Sequence, residues 1–154
     1  MLKFTRNHAH NTARRRRLGN AVLDAALVLP VLLSLTFGTV EYGYYFFLKH
    51  SMQGAVREGC RVGILSTATN AQVTQAVAAS LFAAGLNSSS TTLDAKYTCT
   101  TSPASVSGQS AGTTITVTLN TTWGQAGVRA LPTYLGGIGT GKSISTATSM
   151  RKEG

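Results

Sequence analysis

Few side chains here could do chemistry, and half of them fall in the first third of the chain. Five acids, three histidines and two cysteines are spread over 154 residues. Beyond residue 62 the acids are only Asp94 and Glu153, and no histidine follows His50. Acid–base and nucleophilic catalysis both need a positioned base, and the C-terminal half offers none. His8 and His10 form an HAH pair with no third ligand near them in sequence, so no metal site is expected. The expectation is a protein that is not an enzyme, with no cofactor and no small-molecule substrate.

One motif argues otherwise at first sight. GGIGTGKS, residues 136–143, satisfies the phosphate-loop pattern through Gly136, Gly141, Lys142 and Ser143. A phosphate cradle also needs a buried strand before the loop and a helix starting at its lysine, so that free backbone N–H groups and the helix dipole meet the phosphates. Here ALPTYL, interrupted by Pro132, comes before, and only eleven strand-like residues come after Ser143. A flexible Gly-rich turn is expected, not a nucleotide site.

Charge and hydropathy point elsewhere. Lys3, Arg6, Arg14, Arg15, Arg16 and Arg17 supply six of the fourteen basic residues, and residues 1–19 contain no acid. Without that tail, eight basic residues face five acidic ones, a net of +3 rather than +9. No basic, aromatic-interleaved surface follows, so nucleic acid is not an expected partner. A basic block directly before an apolar run instead fixes membrane orientation. The run extends from Ala25 to Leu48, with Glu41 as its one charge. As a helix it spans ~36 Å, against a hydrocarbon core of about 30 Å. It is longer than a cleaved secretory segment, and Lys49 and His50 close it in place of a small-residue cleavage site. A retained membrane helix is expected, with Arg14, Arg15, Arg16 and Arg17 inside, residues from about 50 onward outside, and a kink at Pro30.

The elements that must carry these residues follow from periodicity. Residues 1–19 show none and read as disordered. The helix continues as an amphipathic stalk to about residue 65, with Met52, Ala55, Val56, Gly59, Val62 and Gly63 on one side and Arg57, Glu58 and Arg61 on the other. Thr69 or Asn70 caps a second helix in which Val73, Val77 and Leu81 recur, with Gly85 as its stop. Thereafter the period is two. Leu93, Ala95, Tyr97 and Cys99 alternate with polar residues, as do Ile115, Val117 and Leu119, and KSISTATSM is a third candidate strand. The expected fold class is α+β: a long N-terminal transmembrane and stalk helix, a short second helix and a small antiparallel sheet. Its parts are a leader, 1–19, an anchor and stalk, 20–65, and an extracytoplasmic α+β domain, 66–154. Trp123 and Tyr134 are expected in the core.

Cys60 and Cys99 are the only cysteines. On the oxidising side of a membrane they could pair, tying the stalk to the first strand, with a stabilisation of about 4 kcal/mol in the chain-entropy model. An inward-facing free Cys99 fits the strand parity equally well.

Asp24 lies five residues after Gly19, inside the start of the apolar helix. With Gly19 as the last leader residue and Asn20 as the first mature one, Asp24 becomes mature residue five. This arrangement resembles the class III signal of type IV pilins, which implies a pilin-like fold. The segment from Arg14 to Leu65 further resembles the N-terminal region of TadE-like proteins, minor pseudopilin-like components of tight-adherence (Flp-type) pilus systems. The elements that carry the resemblance are the arginine run with Gly19, ALVLP at residues 26–30, the VEYG around Glu41, and AVREGCRVG at residues 55–63.

The resemblance implies a bacterial inner-membrane protein, with its N-terminus cytoplasmic and its C-terminal domain extracytoplasmic, or incorporated in the pilus. Its implied partners are a prepilin peptidase, other Tad pilins and pseudopilins, and the inner-membrane assembly platform. Asp24 takes the place of a glutamate usual in the family, whose carboxylate neutralises a neighbouring subunit's buried α-amino group in the assembled bundle. On residue chemistry alone an interfacial aspartate in an uncleaved single-pass anchor remains the alternative. Glu41 matches the family's second acid, whose role stays open between an interfacial position and pairing between subunits.

Overall fold

The helix α1, Ala9–Gly63, runs unbroken through the arginine block, Gly19 and Pro30. It belongs to a computed structural model that describes the backbone of residues 9–153, with side chains described from Ala21 onward. At 1.5 Å per residue it is about 80 Å long. The part of the leader from Ala9 onward, including Arg14, Arg15, Arg16 and Arg17, is therefore helical rather than disordered, a correction with a simple cause. Alanine, arginine and leucine are strong helix formers, and a helix needs no hydrophobic stripe to propagate once its neighbour has nucleated it. From Ala21 the helix is apolar and long enough to cross a membrane.

The stalk stripe is as expected except that Val62 and Glu58 are both half-buried. Leu48, Met52, Ala55, Val56, Gly59, Cys60 and Gly63 are buried, whereas Arg57 and Arg61 are exposed. Against this stripe packs α2, Asn70–Ala83. Thr69 caps it in a reciprocal capping box, in which its hydroxyl accepts from the Gln72 amide and the Gln72 side chain accepts from the Thr69 amide. Gly85, at φ +73°, follows the helix as its expected stop. Val73, Val77 and Leu81 are buried as the periodicity predicts.

Three strands complete the α+β fold: β1, Thr98–Ser102, β2, Thr114–Thr122, and β3, Ser143–Arg151. They form one antiparallel sheet in the order β1-β2-β3, with Cys99 opposite Leu119 and Ile115 opposite Met150. Ile115, Val117 and Leu119 point into the core, so the period-two reading of β2 holds. The first strand begins later than its alternation suggests. Residues 87–94 are held instead by Asn87, whose side-chain amide donates to the Ser89 and Thr92 carbonyls while its oxygen accepts from the Asp94 amide. Such local side-chain bonds compete directly with strand pairing.

The core lies between the second half of α1, the inner face of α2 and the inner face of the sheet. Trp123, fully buried just after β2, meets the rings of Tyr44 and Tyr45 at centroid distances of 6.1 and 5.8 Å. These are favourable tilted and edge-on geometries. β2 and β3 are joined by residues 123–142, which leave the sheet and run back along α1 towards its N-terminal half.

Candidate functional site

Extending the buried stripe of α1 backwards from Met52 and Leu48 by three and four residues passes Tyr45 and Tyr44 and lands on Glu41. A carboxylate thus occupies a core position of the helix, and it is completely buried. Its two oxygens are both engaged. Oε2 accepts from the Leu131 backbone N–H at 2.8 Å and Oε1 from the Ile138 N–H at 2.7 Å. Charge-assisted bonds of this kind are shorter and stronger than neutral ones, and two of them cover the oxygens that burial would otherwise strand. Glu41 latches the two ends of one loop to the helix.

That loop is built for the approach. Pro132 leads into a 3₁₀ turn, Thr133–Leu135, which Gly136 closes in the left-handed region at φ +94°. At Gly137 a Cβ would stand 2.2 Å from the Leu131 carbonyl oxygen, so no side chain fits there. Leu131 packs over Gly38, where an added Cβ would already touch its Cδ1 at 3.4 Å. The Tyr42 hydroxyl reaches the Gly136 carbonyl at 3.4 Å. Both oxygens of Glu41 are therefore engaged within the chain. The signal that could have found this latch was the stripe itself, extrapolated into a run with no polar face to mark it.

The apparent phosphate motif, residues 136–143, overlaps the end of this loop, and its geometry is not that of a phosphate cradle. The amides of Gly136, Gly137 and Lys142 are taken by the carbonyls of Thr133, Pro132 and Gly139, and that of Ile138 by Glu41. Ser143 opens a strand, not a helix. A carboxylate beneath the loop would also repel a phosphate.

The remaining sequence-predicted residues are dispersed. Asp24 is exposed on α1 and, among the described residues, has no hydrogen-bond or ion-pair partner. Gly19 and Asn20 lie in the α1 backbone, as do Arg14, Arg15, Arg16 and Arg17. The side chains of Asn20 and of those four arginines, Arg14, Arg15, Arg16 and Arg17, fall outside the described residues. His8 lies outside the description altogether. Both cysteines are free in the structure. Cys60 is buried under the sheet, with Sγ 3.3 Å from the Ile115 carbonyl and 3.4 Å from that of Thr148. Cys99 is half-buried on β1. Desolvation pushes its thiol pKa up, and a hydrogen bond with Thr74 pulls the other way. Tyr134, expected inside, is 85% exposed at the tip of the latched loop.

One buried charge escaped sequence reasoning. Lys152 is 5% exposed, and its Nζ donates to the carbonyls of Leu65 and Val106 at 3.2 and 2.7 Å. It joins the end of α1, the β1–β2 loop and the end of β3.

Taken together, these features define an α+β protein in which one helix carries, from Ala21, a segment apolar and long enough to cross a membrane and then serves as spine of the folded domain. Residues 19–61 match the family model described as TadE-like protein. The match covers most of α1, including Glu41, and stops short of the C-terminal domain. The match makes this segment similar to TadE-like proteins, and the apolar helix fits a single-pass anchor. No curated protein and no solved structure matches the chain significantly.

Proposed function

We propose that this protein is a minor pilin-like subunit of a tight-adherence pilus, made as a precursor that a prepilin peptidase cuts between Gly19 and Asn20. The observation that carries the reading is the family match, which begins at Gly19 and runs along the apolar helix. In this account Arg14, Arg15, Arg16 and Arg17 hold the leader in the cytoplasm, and α1 anchors the chain in the bacterial inner membrane. The C-terminal domain stands outside, where it meets other pilins and the assembly platform.

Asp24 becomes mature residue five. Its exposure on an apolar helix supports a partner supplied from outside the chain, the α-amino group of a neighbouring subunit. Unpaired, a carboxylate in such a bundle costs several kcal/mol, so the pairing also selects the register of assembly. The threonine-rich sheet, with few charges, is the surface left for protein contacts.

Intact mass of the chain, expressed with and without its prepilin peptidase, tests the reading. Loss of residues 1–19 only when the peptidase is present is the expected result. An intact chain under both conditions would make the protein an uncleaved single-pass anchor and Asp24 an interfacial residue.

A further inference from the structure

The latched loop sits at the wrong height for a domain that stops at the membrane surface. It reaches back along α1 to share one groove with Ser34, Leu35, Gly38 and Thr39, and a second with Pro30, Leu33, Ser34 and Phe37. Pro30 lies eleven residues before Glu41, about 16 Å further down the helix. Those helix residues belong to the segment apolar enough to cross a bilayer. If the hydrocarbon core starts near Ala21, its thickness of about 30 Å ends near Val40. A register shifted outward to clear Asp24 puts Glu41 deeper still. Either way Leu131, Pro132 and Leu135 lie at hydrocarbon depth.

We propose that the loop of residues 130–138 is embedded in the outer leaflet of the bilayer, with lipid acyl chains filling the two grooves beside it. Its composition fits that partner. ALPTYLGGI contains no charge, Arg129 and Lys142 flank it at headgroup reach, and Tyr134, Leu135 and the nearby Val128 turn their side chains outward.

Most of its backbone donors are satisfied. Irregular backbone is tolerated at membrane depth only where its N–H and C=O groups are met by protein or by water. Leu131 and Ile138 donate to Glu41, Leu135 and Gly137 to the Pro132 carbonyl, and Gly136 to the Thr133 carbonyl. Pro132 has no N–H to satisfy. Among residues 130–138 only Ala130, Thr133 and Tyr134 donate to no protein acceptor, and the last two stand at the start of the 3₁₀ turn. Glu41 then acts where water would act for an exposed loop. The acid inside the apolar run is what lets a loop enter the membrane beside its own helix.

The inference rests on α1 spanning a bilayer and not on cleavage or pilus assembly. Its test uses the full-length chain in vesicles of phosphatidylethanolamine and phosphatidylglycerol, with both native cysteines replaced by alanine. A nitroxide is attached at Tyr134→Cys, and in a second sample at Leu135→Cys. Collision with oxygen, which partitions into hydrocarbon, is compared with collision with a water-soluble nickel chelate. Leu27→Cys serves as the lipid reference and the exposed Ser107→Cys as the aqueous one.

The expected result is an oxygen-to-nickel collision ratio at both loop sites several-fold above that at Ser107→Cys and close to that at Leu27→Cys. Nickel access equal to that at Ser107→Cys would overturn the proposal. So would low access to both reagents with spin–spin broadening, because a second copy would then cover the loop. A water-exposed Leu27→Cys label would instead refute the membrane anchor itself.

Discussion

Glu41 and Leu131 are ninety residues apart in sequence and meet at 2.8 Å, carboxylate to backbone amide. Replacing Glu41 by glutamine keeps the shape but turns one acceptor into a donor facing an N–H. Leaving a buried group unsatisfied costs about 1–3 kcal/mol, more where a charge was involved. Glu41→Gln is expected to speed hydrogen exchange at Leu131 and Ile138 markedly while leaving the amides of α2 and β2 unchanged. Uniform acceleration across the domain would show that the latch is not local.

Two glycines of α1 predict opposite signs for the same substitution. At Gly59 an added Cβ would stand 2.6 Å from Val77 Cγ2, on a stiff β-branched side chain that is itself buried. At Gly54 it would meet nothing within 4 Å. Gly59→Ala should therefore destabilise by about 1–3 kcal/mol through overpacking of the α1–α2 contact. Gly54→Ala should stabilise by up to about 1 kcal/mol through helix propensity alone. Thermal unfolding of the full-length protein in detergent, followed by circular dichroism, distinguishes them.

The pH dependence has a named source in Tyr97. Its hydroxyl is buried, donates to the Leu86 carbonyl at 3.1 Å, and burial pushes its pKa from 10.0 to about 12. A pKa raised on folding means that the folded state holds the proton more tightly. The stabilisation is then complete below pH 10 and is lost as pH rises from 10 to about 12. Unfolding free energy in detergent is expected to fall across that window, and Tyr97→Phe should flatten the decline. An equally steep decline in Tyr97→Phe would assign it to other groups.

How far the sequence revealed this molecule depends on whether a pattern had a contrast to show. The α2 cap was legible to within one residue, Thr69 or Asn70, because a side-chain acceptor before an apolar period marks a helix start; the structure selects Thr69. β2 was legible because apolar and threonine positions alternate without interruption. The start of β1 was not, because Asn87 offers residues 87–94 a local hydrogen-bond network that no periodicity describes. Glu41 was visible as an anomaly but not as a latch, since its partners are backbone amides, which look alike in every sequence. Trp123 and Tyr134 read the same as aromatic residues in a weakly patterned stretch. Only the return of the chain along α1 buries one and exposes the other.

Lys152 supplies the last expectation. Its ammonium donates to two carbonyls that belong to segments far apart in sequence, Leu65 after α1 and Val106 in the β1–β2 loop. The backbone of the same residue exchanges hydrogen bonds with Thr113 and Gly112, so the strand end is fixed independently of the side chain. Lys152→Met keeps most of the apolar stem and removes the donor. Hydrogen bonds to a charged group contribute about 1.5–3 kcal/mol each, though two that share one donor are not additive. Lys152→Met should therefore lower stability by about 2 kcal/mol and raise protease cleavage within residues 103–113 before any cleavage in α2. If the β1–β2 loop is cut no faster than in the parent protein, the lysine serves only to fill space.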